Sequence, residues 1–171
     1  MAEKIYRYFA EGECEEKLLN ALKMRPSLIQ PGKVEKFNVI QNEFKTRKLA
    51  SLPPSCVAVL VFDSDKDETG HLKRNIELLR SWEFEVEVLT IVQVLNFEDE
   101  IERSTDLYQA QDLTRSKTVV DFKSAVNRMK ETDFRSALKR HKLDMSRLWS
   151  EKPPQAFRFV KQDADKVKLE D

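Results

Sequence analysis

The sequence predicts an α/β fold: a four-stranded, mainly parallel sheet flanked by helices, followed by a C-terminal helical extension. Three observations carry this. Strand-like and helix-like segments alternate as far as Leu95, a pattern that builds parallel sheets covered on both faces. One segment, Cys56 to Phe62, is continuously apolar and rich in valine, as a strand buried on both faces must be. Beyond Leu95 the strand signal stops and only helical periodicities remain.

Taken in order, Lys4 to Ala10 reads as the first strand. Glu13 to Met24 follows as a helix with Leu18, Leu19, Ala21 and Leu22 near one face, stopped by Pro26. Gln30-Pro31-Gly32-Lys33 reads as a turn, and the alternating Lys33 to Ile40 as a second strand at a sheet edge. Gln41 to Leu52 is predicted helical up to Pro53-Pro54, and Cys56 to Phe62 is the central strand. Thr69 to Trp82 places Leu72, Ile76 and Leu79 inward at helical spacing, with Trp82 as core, and Phe84 to Val94 is the fourth strand. Helices are expected over Phe97 to Arg103, Val119 to Lys130 and Phe134 to Lys142, the last with Asp133 as its N-cap, and a polar loop over Thr105 to Thr114. The predicted organisation is an α/β core over 1–105, a helical extension packed on it over 106–160, and a frayed tail over 161–171.

Composition narrows the function classes. Thirty basic and thirty acidic side chains cancel, so a polyanion would need a local patch or bridging metal ions. Met1-Ala2-Glu3-Lys4 carries no apolar signal region, and no stretch reaches the roughly 18 apolar residues that span a bilayer. Two cysteines, Cys14 and Cys56, are too few for a disulfide framework or a zinc cluster. A cytoplasmic protein with no membrane association is expected.

The chemistry-bearing residues follow two of the strands. Glu11-Gly12-Glu13-Cys14-Glu15 comes after the first, and Asp63-Ser64-Asp65-Lys66-Asp67 after the third. A carboxylate just past a buried parallel strand sits where α/β sheets place their active sites. Asp63 and Asp65, two residues apart, can face one opening, where their charges repel unless a cation bridges them; hard oxygen donors suit Mg²⁺ or Mn²⁺. Two of the three glycines, Gly12 and Gly70, flank these clusters. Helix capping accounts for Glu13, Glu15 and Glu16 as well as metal binding does, and a solvated acidic turn accounts for the second cluster.

Two rival motifs can be tested by spacing. A calcium-binding EF-hand loop needs glycine at its sixth position and glutamate at its twelfth, where this chain has Glu68 and Arg74. A haloacid-dehalogenase-type phosphatase, which would use Asp63 as nucleophile, has Asp-x-Asp-x-Thr/Val; here Asp67 takes the last position, a weak match that stays as a second alternative function. No glycine-rich nucleotide-binding loop occurs. The basic series Arg128, Lys130, Arg135, Lys139, Arg140, His141 and Lys142 is interrupted by acids and reads as a solvated face, with a phosphate-binding face as the alternative.

Together, Phe9-Ala-Glu-Gly-Glu-Cys-Glu15 on the first strand and Asp63-Ser-Asp-Lys-Asp-Glu-Thr-Gly70 on the third resemble the Toprim domain, the metal-binding module of topoisomerases, primases and related nucleases. The resemblance covers about residues 4–105 and is nearest to small stand-alone or overcoming-lysogenization-defect nucleases. It implies a βαβαβαβα core and Mg²⁺- or Mn²⁺-dependent cleavage of DNA or RNA, in a phage-defence or repair setting. The implied metal ligands are Glu11, Glu15, Asp63 and Asp65, with Glu98 of Asn96-Phe-Glu-Asp-Glu100 as a further one. Glu11 is alternatively the general base. Lys117, similar to the family's later lysine element, would neutralise the scissile phosphate, and Lys66, Arg115 and Lys117 would contact nucleic acid. No ATPase, primase zinc module or topoisomerase tyrosine domain is visible. Any ATPase would therefore act in trans, and a binding or regulatory subunit of such an ATPase is the alternative to a nuclease. A homodimer is compatible with either.

Overall fold

The computed structural model describes residues 3–169. Its centre is a four-stranded sheet in the order β2-β1-β3-β4, with every neighbouring pair parallel. The strands are β1 (Ile5–Ala10), β2 (Gly32–Lys36), β3 (Cys56–Asp63) and β4 (Glu87–Gln93). Six α-helices flank it: α1 (Glu13–Leu22), α2 (Thr46–Ala50), α3 (Gly70–Arg80), α4 (Phe97–Ser104), α5 (Val119–Arg128) and α6 (Glu131–Arg140). The predicted α/β class and the parallel sheet are therefore observed.

The core lies in two layers, one on each face. Tyr8, Ala10, Val57, Val59, Val61, Leu89 and Ile91 pack with α1, α4, α5 and α6. Phe9, Ala58, Leu60 and Phe62 pack with α2, α3 and the loop through Phe44. This is the alternation a pleated strand imposes. It explains why β3, with Cys56 to Phe62 all buried, reads as a continuous apolar run.

Several element boundaries differ from the sequence reading, for identifiable reasons. Gly32 opens β2 rather than making a turn; a Cβ there would stand 2.5 Å from the Tyr6 carbonyl oxygen, so only glycine allows β2 to lie this close to β1. Strand β2 stops at Lys36 because the Asn38 side-chain Oδ1 accepts from the backbone N–H groups of Ile40 and Gln41, drawing the chain into a turn. The predicted helix from Gln41 shrinks to α2 because buried Asn75 of α3 holds the preceding loop open. It accepts from Phe44 N at 2.7 Å and donates to the carbonyls of Val39 and Asn42. Helix α6 starts at Glu131, so Asp133 lies in its first turn and is not the N-cap; Lys130 occupies that position. The expected loop before α5 contains a 3-10 turn, Ala110–Thr114.

The tail is the largest correction. Over the described residues 161–169 it is docked, with Asp163, Ala164 and Val167 buried. The reason is β4, an edge strand with unpaired backbone groups. Asp163 N donates to Thr90 O at 2.8 Å, while its carboxylate accepts from Thr90 N at 3.1 Å. The Gln162 side-chain amide both accepts from Val92 N and donates to Val92 O, at 3.1 and 2.7 Å. The chain then bridges to Ile29 through Lys168. Predicted fraying of residues 170–171 lies outside the described residues. Among the described residues no helix is long and apolar enough to cross a membrane.

Candidate functional site

The strand order fixes where a site can form. From β1 the chain moves to one side to make β2, then returns past β1 to make β3. The carboxyl ends of β1 and β3 therefore flank the point where the winding reverses, and a crevice opens there. Glu11 follows β1 and Asp63 ends β3.

Register and side-chain parity then bring the polar groups together. Asp63 continues the face of Val57, Val59 and Val61, toward α1. Its register partner on β4 is Gln93, which continues Leu89 and Ile91 on the same face. The buried Gln93 Nε2 donates to Asp63 Oδ1 at 2.5 Å and to Glu15 Oε1 at 3.3 Å, while Trp149 Nε1 stands 3.5 Å from Gln93 Oε1. Glu11 completes the group from β1: its Oε2 accepts from Asp63 N at 2.6 Å, and Asn38 Nδ2 stands 3.5 Å from its Oε1. Glu11, Glu15 and Asp63 thus belong to one hydrogen-bonded network. Ser64 pins it, because its hydroxyl and N–H both bond Gln93 O and its hydroxyl accepts from Leu95 N.

Crowding acids in a buried place suppresses their ionisation. Burial, followed by the charges of Glu15 and Glu11, pushes the Asp63 carboxyl up to about 9, against the weaker opposing effect of the Gln93 amide. Glu11 and Glu15 are also raised, chiefly by burial. Gly12 has no positive φ; its use is space, since a Cβ there would meet Glu15 Oε2 at 2.9 Å. Gly70 has no such neighbour.

The other predicted residues divide into two groups. Asp65 and Lys66 are exposed beside the network, and their charges act on the Glu11 carboxyl. Glu98 is buried at the N-terminal turn of α4, with Oε1 paired to Lys123 Nζ at 2.8 Å and Oε2 lacking any hydrogen-bond partner. Arg115 and Lys117 are exposed, and neither side chain bonds to a site carboxylate. Two lysines line the cleft, Lys36 from β2, paired with Glu13, and Lys123 from the middle of α5. Burial works against the charge of Lys123, but Glu98 and Asp63 outweigh this and raise its pKa. Lys123 lines a cleft of about 720 Å³ with Glu11, Glu15, Asn38 and Asn127. Gln93, Lys123 and Asn127 were missed from sequence. Only Gln93 left a sign, as the polar residue interrupting the apolar run from Ile91 to Leu95.

Elsewhere, polar residues are structural. Arg135 donates to the carbonyls of Ala21, Leu22 and Pro26, closing the C-terminal end of α1. Fully buried Glu100 accepts from Val94 N, Trp149 N and Arg103. Burial pushes the Cys14 thiol up to about 12 and Cys56 to about 11, which removes both as thiolate nucleophiles at neutral pH.

Among the described residues no three acidic, histidine or cysteine side chains are gathered closely enough to form a ready-made metal cage. The carboxylates meet in pairs across Gln93 and across the Asp63 backbone N–H. Mg²⁺ keeps several waters and is commonly held by one or two carboxylates plus substrate phosphates, so this all-oxygen donor set fits it without such a cage. The partnerless Glu98 Oε2 is a further donor nearby. No protein-family model, no curated protein and no solved structure matches the chain.

Proposed function

We propose that this chain is a Mg²⁺- or Mn²⁺-dependent nuclease that hydrolyses phosphodiester bonds of DNA or RNA. The observation that carries the reading is the convergence of Glu11, Glu15 and Asp63 at the switch point of a parallel sheet, where burial raises all three carboxyls and neighbouring acids add to the rise. Such crowding is costly unless positive charge enters. The resemblance of the same two motifs to the Toprim module supports the reading independently of the geometry.

In this reading Asp63 and Glu15 would hold the cation, with Gln93 orienting both. The bound ion would supply Lewis-acid polarisation of the phosphoryl oxygen and a lowered pKa for bound water. Glu11 is kept in place by Asp63 N on Oε2, which leaves Oε1 to accept a proton. Its raised pKa brings it nearer the operating pH of a general base. Hydrolysis forms a bond from water oxygen to phosphorus, moves the water proton to Glu11 and breaks the bond to the departing sugar oxygen. Lys123, rather than Lys117, stands where it can balance charge on the phosphate.

The test is cleavage of single- and double-stranded DNA and RNA with Mg²⁺ or Mn²⁺. Glu11→Gln should lower the rate at least about 100-fold, the lower bound for losing a positioned base, and Asp63→Asn should lower it through loss of the bound cation. Folded protein that cuts none of these substrates would sink the reading in favour of a non-catalytic subunit for a partner ATPase.

A further inference from the structure

Beside the acidic cleft lies a second, larger one of about 970 Å³, which shares Phe37, Gln41 and Asn42 with it. Its floor is aromatic. Phe37 and Phe44 are stacked with centroids 4.5 Å apart and planes within 9°, and Phe9 meets Phe44 edge-on at 5.0 Å. Phe9 and Phe44 are buried, whereas Phe37 keeps part of its ring exposed. Backbone bonding ties Phe37 to the catalytic strand end: its N–H donates to Ala10 O, one residue before Glu11.

The rim is basic, and part of that charge is uncommitted. Lys48 is held by Glu35, and in the neighbouring cleft Lys36 and Lys123 are paired with Glu13 and Glu98. Lys45 and Arg47 are exposed, and neither side chain makes a hydrogen bond or ion pair among the described residues. The rim's carboxylate, Glu43, is bonded to His71 Nδ1 at 3.1 Å. A flat apolar ring beside free cations, contiguous with a phosphate-cleaving centre, matches a nucleotide: planar base, anionic backbone.

We propose that this second cleft is the subsite for the nucleotide flanking the scissile phosphate, with its base on Phe37 and its phosphate on Lys45 and Arg47. The proposal rests on the nuclease reading and narrows its substrate. A base seated on a ring of the protein must leave its own stack, so the substrate is single-stranded or locally unpaired.

The experiment is fluorescence anisotropy with labelled oligothymidylate and oligouridylate, each as single strand and as duplex with its complement, in EDTA so that no cleavage occurs. Single strands should bind about tenfold more tightly than duplexes. Phe37→Leu, which keeps an apolar side chain but removes the π-face, should weaken single-strand binding about tenfold, within the range for loss of one stacked base. The double variant Lys45→Gln/Arg47→Gln, at exposed positions, should lower the slope of log affinity against log salt by about 1.4. Wild-type binding by both variants, duplex binding as tight as single-strand binding, or no binding by the wild type would each overturn the subsite. The outcome separates the two claims. Binding that these variants lose, in a protein that cuts nothing, removes the nuclease and keeps the subsite. Cleavage with binding unchanged in the variants does the reverse.

Discussion

Ionising Asp63 costs the fold stability. Its folded pKa of about 9 lies above the ordinary 3.8, so the folded chain holds a proton there that the unfolded chain has released. Stability therefore falls as pH rises from about 4 toward 9. Asp63→Asn removes this dependence, and the variant's advantage over wild type in urea unfolding should grow between pH 5 and pH 8 while cleavage is lost. Glu35 has the opposite sign. Burial alone would raise it, but hydrogen bonds from Lys48, Arg7 and Lys33 dominate and hold it at about 2. Its contribution is present above pH 4.5 and disappears as pH falls toward 2. Glu35→Gln should be less stable than wild type at pH 7, and the difference should shrink in acid. At this scale the sequence revealed the acids but not their partners. Glu11 and Asp63 announce themselves by following apolar strands. Gln93 and Lys123 become visible only once strand register and the packing of α5 are known.

At the scale of elements, Gly12 connects β1 to the site. Gly12→Ala would place a methyl against the Glu15 carboxylate, the movable end of a side chain. Activity should drop while stability changes by no more than about 1 kcal/mol, the scale of an N-cap substitution; parallel assays of cleavage and thermal unfolding check this. The tail works on β4. Asp163→Ala leaves the buried Thr90 N–H without a partner and should cost about 1–3 kcal/mol in denaturant unfolding. Helices and strands were legible because periodicity is a local signal. The docked tail was not, because Gln162 and Asp163 read as ordinary surface residues until a sheet edge stands beside them. Asn75 misled in the same way: a polar residue inside a helix pattern gave no hint that it holds the 38–45 loop open.

For the whole molecule, the order β2-β1-β3-β4 turns two acidic strand ends, about fifty positions apart in sequence, into one site. That order makes a crevice, and the crevice gathers carboxylates. A divalent ion binding there must displace the Asp63 proton, so its affinity should rise with pH. The central claim is that this centre holds such an ion, and diffraction at the manganese edge from crystals soaked in Mn²⁺ tests it most directly. An anomalous peak is expected about 2.1 Å from carboxylate oxygens of Asp63 and of Glu11 or Glu15, with the Gln93 amide withdrawn from Asp63. A peak elsewhere, or none at this centre with Gln93 still bonded to Asp63, would contradict it.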